Sequence, residues 1–337
     1  MNKSKKYMMK PDNDFAKHFL AVFKDPNNDK LKERHLKPYL ESWHNYDNFE
    51  INGIGTIGKY KHPRQIEKDE KMWLASLFMT HENGDFDFRR CFADVLIKTF
   101  GDPIPGVFER GFGWGDYIGN GGHIVDESVD KEQNWCTSES CSHFGFRPFF
   151  LETSVPAPKA YKEYLSLRLK DKRKHLIPYV NDAITHSSKH LEGPTIVDCV
   201  FLGHNGLSIF IEAKVLSDIS YQVTYDETRN QIARNIDAML ETPNSIIDEP
   251  NNPMNYRNKD RTFFLLLTPR LFKELPQSRL YGYKFNEYKT DPEAIGRDLP
   301  HRKLTKELCH EISKRIGWAT WEDFNQINKN FCPWLNS

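Results

Sequence analysis

The chain has 337 residues, of which 38% are apolar and 28% charged, and this composition excludes a disordered protein while allowing one large domain or two smaller ones. Lysine plus arginine and aspartate plus glutamate each number 47, so the formal net charge is zero. The global positive charge of many nucleic-acid-binding proteins is therefore excluded, and any basic surface must be local.

Cysteine placement and hydropathy indicate the compartment. The six cysteines are scattered, no apolar signal segment precedes them, and no apolar stretch is long enough to span a bilayer. We therefore expect a cytoplasmic protein with no membrane association.

Residues 1–154 are expected to form an α-rich or α+β region that recognises the substrate or a partner. Hydrophobic periodicity predicts helices near 12–23 and 67–79, whereas 87–100 fits either a helix or a strand. The segment 101–122 holds eight glycines among aromatic residues. Such a segment is typical of a structured surface loop, with stacking on nucleic-acid bases as the alternative.

One cluster in this region has a spacing similar to that of a zinc knuckle. It consists of Cys136, Cys141 and His143, and His123 would be a fourth ligand. Structural zinc sites normally use closer ligand pairs. Ordinary free cysteines are therefore the favoured interpretation, with zinc as the alternative.

A helical stretch is predicted over 159–187, after the prolines at 156 and 158. Lysine and arginine outnumber acidic residues within 159–175. A local basic patch for nucleic acid and a solvated helix face account for this run equally well.

The segment that follows predicts a hairpin. Residues 195–202 and 207–216 are short, β-branched and apolar, and His204-Asn205-Gly206 joins them. Both strands are apolar on both faces, as expected in the interior of a covered sheet.

A crossover to a parallel strand is predicted next. A helix over 226–240 leads to a nearly pure apolar strand at 262–268, and a connection of this size implies a right-handed crossover. Two further helices are predicted near 304–316 and 321–331, separated by Gly317. The expected fold class is α/β, with a mixed central sheet flanked by helices.

Charged residues inside the two apolar hairpin strands are the most informative feature of the chain. Glu212 and Lys214 lie two residues apart in one strand, hence on one face, and Asp198 lies in the partner strand. Burying these groups is costly unless they are paired or bind a ligand. Two converging carboxylates suit Mg²⁺, whereas a buried ion cluster without a ligand is the alternative.

These residues resemble the signature of the PD-(D/E)XK superfamily, the restriction-endonuclease-like nucleases. That signature is an aspartate, a variable gap, an aspartate or glutamate, any residue and a lysine. Here Asp198 is followed fourteen residues later by Glu212-Ala213-Lys214. Three residues separate Pro194 from Asp198, so the proline–aspartate pair of the name is not literal.

The resemblance extends over about a third of the chain, from about 161 to 269. The run 225–235 is similar to the helix that follows the lysine strand in many members of the superfamily. The resemblance implies a restriction-endonuclease-like nuclease core at 155–275, with the C-terminal helices of 276–337 packing on it.

The resemblance also implies Mg²⁺-dependent hydrolysis of phosphodiester bonds. Asp198 and Glu212 would hold Mg²⁺ together with the backbone carbonyl of Ala213, and Mn²⁺ is expected to substitute. Lys214 would orient or activate the attacking water and offset the charge that develops on the phosphate. Members often have a polar residue on the following helix that faces the site, and Gln231 is the catalytic candidate.

The helix after the motif is expected to have an apolar and a polar side. Ile232, Ile236 and Met239 would pack on the core, and Gln231, Arg234 and Asn235 would lie on the opposite side. Gln231, with Asn235 or Arg234 as further candidates, would face the metal site or the phosphate backbone. A polar stripe that faces solvent is the alternative.

A further glutamate on a preceding helix is another feature that the resemblance implies. Glu163 is the candidate, with Glu192 and Glu152 as rivals. We take Glu163, Arg234 and Asn235 as the candidates for nucleic-acid contact.

The expected substrate is DNA, with RNA left open, and a second copy of the chain is an expected partner. By analogy, the resemblance implies a role in restriction or anti-phage defence. The alternative is a non-catalytic nucleic-acid-binding or protein-interaction module on the same fold.

The register of the hairpin decides whether the acids can meet. A two-residue turn would place Asp198 opposite Ala213, so that Asp198 would point away from Glu212. A three-residue connection with a left-handed Gly206 would pair Gly203 with Leu207 and place Asp198 opposite Glu212. We predict the three-residue connection or an equivalent bulge, because the site needs it.

Overall fold

The computed structural model of the chain describes the residues that build one sheet and its flanking helices. The described ranges are 69–79, 86–101, 103–108, 149–171, 192–203, 206–219, 229–241 and 257–327. The helix predicted near 12–23, most of the glycine-rich segment and all four zinc candidates lie outside these ranges. The zinc candidates are Cys136, Cys141, His143 and His123.

Five strands form one mixed sheet, and their spatial order equals their order in the chain. The strands are β1 (Phe149–Val155), β2 (Thr195–Leu202), β3 (Ser208–Ala213), β4 (Thr262–Thr268) and β5 (Ile316–Thr320). The first three strands are successively antiparallel, whereas β4 is parallel to β3 and β5 is parallel to β4. The α/β class with a mixed sheet is therefore confirmed, as is the parallel pairing across the predicted crossover.

Helices cover both faces of this sheet. In the described part of the chain they are α1 (Glu70–Met79), α2 (Phe86–Phe100), α3 (Lys159–Asp171), α4 (Gln231–Leu240), α5 (Arg270–Glu274), α6 (Leu280–Thr290), α7 (Glu293–Asp298), α8 (Lys306–Lys314) and α9 (Trp321–Ile327). Short 3-10 segments lie at Lys259–Arg261, Pro276–Ser278 and Pro300–Arg302. None of the described helices is long and apolar enough to cross a membrane.

The core consists of two layers, one on each face of the sheet. Helices α1, α2 and α9 pack on one face, against residues such as Ile209 and Phe263. Helices α4, α6, α7 and α8 pack on the other face, against residues such as Phe210 and Phe264. Every residue of β3 and β4 is buried, because both faces of these strands are covered.

The helices predicted from periodicity lie close to their expected positions. Helix α1 matches the prediction over 67–79, and α2 resolves the ambiguous segment as a helix. Helix α4 begins after Asn230, whose side-chain oxygen accepts a hydrogen bond from the Ala233 N–H. The predicted apolar stripe of α4 is confirmed, since its residues are fully buried. They are Ile232, Ile236 and Met239.

Strand β5 is an element that the sequence analysis did not predict. Gly317 was interpreted as a break between two helices, but it lies inside β5 and pairs with Leu265 of β4. A Cβ at Gly317 would lie 2.5 Å from the Phe100 Cε1 atom, so glycine lets β5 approach α2 closely. The prediction of an entirely helical C-terminal segment is therefore wrong at this strand, which completes the sheet.

Candidate active site

The hairpin has the register that the three-residue connection requires. Cys199 pairs with Ile211, and the Gly203 N–H donates to the Leu207 carbonyl at 2.8 Å. Gly206 has φ +72°, in the left-handed region. The predicted register is therefore confirmed and the two-residue turn is excluded. The other two residues of the connection lie outside the described part of the chain.

This register places Asp198 opposite Glu212. Directly opposed residues of two strands share a face, and residues along a strand alternate between faces. The even-numbered neighbours Val200 and Phe210 belong to the core layer that contains α4. Both carboxylates therefore lie on the α4 side of the sheet.

Asp198 bridges β2 and β3 at the point where regular pairing stops. The paired register of these strands ends at Cys199 and Ile211, although β3 continues to pair with β4 as far as Ala213. Beyond that point, the Ala213 N–H donates to Asp198 Oδ2 at 2.9 Å. The carboxylate takes the place of a backbone acceptor and is fixed close to the next residues of β3.

Lys214 lies between the two carboxylates. Its Nζ donates to Glu212 Oε1 and lies 3.8 Å from Asp198 Oδ2. The side chain of Glu212 is completely buried, whereas about a quarter of the Asp198 side chain (24%) is exposed. The cluster therefore has an inner acid, an outer acid that solvent reaches, and a shared ammonium group.

The electrostatics of the cluster follow from this arrangement. Burial and the repulsion of Glu212 raise the pKa of Asp198 well above its usual value, and Lys214 only partly offsets this. Burial alone would lower the pKa of Lys214, but the charges of Glu212 and Asp198 outweigh it and raise that pKa. Lys214 therefore stays charged, whereas the charged form of Asp198 is disfavoured in the folded chain.

Leu267, Trp321 and Glu70 hold the chain around Lys214, and the sequence had singled out none of them as a site residue. The Lys214 N–H donates to the Leu267 carbonyl at 2.9 Å, and the Lys214 carbonyl accepts from Trp321 Nε1 at 3.3 Å. Glu70 of α1 accepts from the Val215 N–H at 3.4 Å and adds to the negative charge that raises the Lys214 pKa. In the sequence, Glu70 stood out only as an acidic residue in the first turn of a predicted helix.

Asn235 of α4 reaches the inner acid directly. Its Nδ2 donates to Glu212 Oε2 at 3.0 Å, and the whole residue is buried. The expectation that a polar residue of this helix faces the acids is confirmed for Asn235. Its placement opposite the apolar stripe was wrong, because three residues at 100° put it about 60° from Ile232, beside the stripe.

Arg234 is engaged within the protein. It bonds to Glu192 at 3.0 Å and to the carbonyls of Gly193 and Pro194 at 3.3 Å each, just before β2 begins. Glu192 is buried and also forms an ion pair with Arg229. These contacts give Arg234 the role of holding the start of β2, and they give Glu192 two arginine partners.

The remaining candidates lie on three different elements. Gln231 is half-buried in the first turn of α4, and Glu163 is exposed on α3, so the roles assigned to them stay predictions. Glu152 lies opposite Asp198 in the β1–β2 register and forms an ion pair with Lys71 of α1. Glu152 has φ +48°, in the left-handed region, where the regular pairing of β1 with β2 is interrupted.

The residues present fit a hard divalent cation. Two carboxylates converge on one cationic group, and the acceptor atom Asn235 Oδ1 is buried without a hydrogen-bond partner among the described residues. Mg²⁺ commonly binds through one or two carboxylates and keeps several waters. No group of three acidic, histidine or cysteine side chains that could hold a metal is found in the described ranges, so a cation at this cluster would have two carboxylates, those of Asp198 and Glu212, as side-chain ligands.

Comparison with known proteins gives no family assignment. No protein-family model matches the chain, and no curated protein or solved structure resembles it significantly.

Proposed function

We propose that the chain is a Mg²⁺-dependent endonuclease with a PD-(D/E)XK-type site, and that DNA is its substrate. The observation that carries the proposal is the convergence of Asp198, Glu212 and Lys214 on one face of the sheet. The hairpin, helix α4 and the parallel strand β4 are the surroundings that the resemblance leads us to expect. A restriction-endonuclease-like core is part of the proposal.

Each residue of the cluster has a separate task in this proposal. Asp198 and Glu212 bind the cation, assisted by the Ala213 carbonyl. Lys214, released from Glu212, orients the attacking water and stabilises the charge that develops on the phosphate oxygens. A bound Mg²⁺ would polarise the scissile phosphate and lower the pKa of water. Mn²⁺ is expected to replace Mg²⁺.

The alternative function is a non-catalytic nucleic-acid-binding or protein-interaction module on the same fold. Such a module has no use for a second acid placed beside Glu212 at the end of a hairpin, where burial and the charge of Glu212 disfavour the charged form of Asp198. The presence of both acids and the lysine in one cluster favours the enzyme. A role in restriction or defence against phage is proposed by analogy only.

A cleavage assay with alanine variants tests the proposal. The purified chain is incubated with Mg²⁺ and with plasmid DNA, single-stranded DNA or RNA, and product ends are measured over time. We expect cleavage of DNA by the wild type, and loss of cleavage in Asp198→Ala, Glu212→Ala and Lys214→Ala with the fold retained.

The matched control is Glu274→Ala, which removes an exposed carboxylate at the end of α5 and should leave cleavage unchanged. Full activity in Glu212→Ala would refute the assignment. Tight binding of DNA without cleavage by the wild type would favour the non-catalytic alternative, and cleavage of RNA alone would correct the substrate.

A further inference from the structure

The two carboxylate oxygens of Glu212 have different partners, and Asn235 is one of them. The Asn235 amide donates to Glu212 Oε2 at 3.0 Å, whereas Lys214 donates to the other oxygen, Oε1. Without the amide, both oxygens of Glu212 would be free to bind the ammonium group, because a carboxylate accepts several hydrogen bonds. The amide thus keeps one oxygen of the inner acid away from Lys214.

The other end of the same amide is unsatisfied. Asn235 Oδ1 is buried and has no hydrogen-bond partner among the described residues. A buried carbonyl oxygen without a partner destabilises a protein, and a leucine of similar size would avoid that cost. Asn235 Oδ1 is therefore a buried acceptor beside Glu212 that can accept a hydrogen bond from a small polar molecule, and water is the smallest such molecule.

The helix that carries Asn235 is fixed at both ends. At its start, Asn230 caps α4 and donates to the Tyr288 hydroxyl at 3.0 Å. Towards its end, Asp237 bonds to Arg229 and Arg302. Asn235 therefore lies on a rigid element that determines the position of its amide.

We infer that Asn235 is a positioning residue, whose Nδ2 fixes Glu212 and whose Oδ1 accepts a hydrogen bond from a water molecule beside that carboxylate. Asn235 is completely buried behind Glu212, so this role replaces the expected nucleic-acid contact. The contribution of the residue to cation binding and cleavage rests on the proposed function, whereas its hydrogen bond with Glu212 does not.

A double-mutant cycle tests the hydrogen bond in protein free of divalent cations. Unfolding by urea is measured for the wild type, Asn235→Leu, Glu212→Gln and the double variant. We expect non-additive effects on stability, because the first substitution removes the donor and the second weakens its acceptor. Additive effects would overturn the inference whether or not the protein is a nuclease.

Measurements of Mn²⁺ affinity and of DNA affinity distinguish a residue that positions Glu212 from one that contacts DNA. Loss of a group that orients a metal-binding side chain typically costs about 10–100-fold in metal affinity. We expect Asn235→Leu to weaken Mn²⁺ binding about 10-fold or more and to lower kcat, with unchanged DNA affinity measured without a divalent cation.

Ser313→Ala is the matched control, because it removes a buried hydrogen bond to the Tyr288 carbonyl and involves no residue of the cluster. It should lower stability without changing Mn²⁺ affinity. Unchanged Mn²⁺ affinity in Asn235→Leu, or a loss of DNA affinity alone, would overturn the inference. A wild type that neither binds Mn²⁺ nor cleaves DNA would refute the proposed function, and the stability cycle would still decide the role of Asn235 toward Glu212.

Discussion

At the scale of single residues, Lys214 acts as an internal cation for two carboxylates. It bonds to the buried Glu212 and lies 3.8 Å from Asp198. Removing one partner from a buried ion cluster usually destabilises a protein, since the other charges lose their compensation. Because Lys214 already interacts with both acids, a divalent cation bound by the same acids would have to compete with its ammonium group.

Asp198→Asn should stabilise the cation-free protein at neutral pH. The pKa of Asp198 is raised in the folded chain above its ordinary 3.8, so folding favours the protonated form. The wild type therefore loses stability as the pH rises from about 3.8, the ordinary pKa of the unfolded chain, through the raised pKa of Asp198 in the folded chain. The asparagine variant has no such loss, because its side chain is neutral at every pH. The free energy of unfolding, measured with urea between pH 3 and pH 8, should be equal for the two proteins at the lowest pH. As the pH rises, Asp198→Asn should become increasingly more stable than the wild type.

Glu274→Gln, an exposed substitution in α5, serves as the comparison and should shift stability little at any pH. A destabilised Asp198→Asn at neutral pH, or an advantage that does not vary with pH, would contradict the electrostatics of the cluster.

At the scale of elements, the sequence predicted the parts with strong local signals. Apolar runs and a glycine-containing connection were enough to place β2, β3 and β4, and the need for Asp198 to meet Glu212 selected the register. Strand β5 was missed because Ile316–Thr320 is short, contains Gly317 and becomes a strand through pairing with β4 and packing on α2. Such tertiary contacts leave no local signal.

Gly206→Ala should disrupt the hairpin register. Gly206 has φ +72°, and a Cβ there would lie 2.8 Å from the Asn258 Cβ atom. The left-handed conformation alone costs about 1–2 kcal/mol for a non-glycine residue, and the clash adds to this. We expect lower stability in urea unfolding together with loss of DNA cleavage, because the acids lose their alignment.

Two other glycines provide graded controls for this substitution. Gly101 has the same φ of +72° but open space around its Cβ position, so Gly101→Ala should show the conformational cost alone. Gly193 has neither restriction, and Gly193→Ala should have little effect. Equal effects at positions 206 and 193 would refute the structural role of Gly206.

At the scale of the whole molecule, a buried ion network joins α4 to the C-terminal part of the chain. Asp237 accepts hydrogen bonds from Arg229 and Arg302 and lies 3.0 Å from the His301 Nε2 atom. Burial would raise the pKa of Asp237, but His301 and the two arginines outweigh it and lower that pKa. This network leaves no local pattern in the sequence, because Arg302 follows Asp237 by 65 residues.

Asp237→Asn should destabilise the whole fold. The substitution leaves the buried guanidinium group of Arg229 and the partly buried one of Arg302 without their shared carboxylate, and breaking a buried ion pair costs about 3–5 kcal/mol. Thermal and urea unfolding at pH 7 should show this loss. Asp291→Asn removes an exposed partner of Arg297 and should change stability little. Similar stabilities of the two variants would contradict the importance of the network.

The most direct test of the central claim is Mg²⁺-dependent cleavage of plasmid DNA by the wild type and Glu212→Gln, measured side by side. Glutamine keeps the size of the side chain but removes the buried negative charge. We expect cleavage by the wild type with Mg²⁺, none with EDTA, and a loss of at least about 100-fold in Glu212→Gln with the fold intact. Equal cleavage by both proteins, or a wild type that stays inactive with Mg²⁺ and Mn²⁺, would contradict the claim.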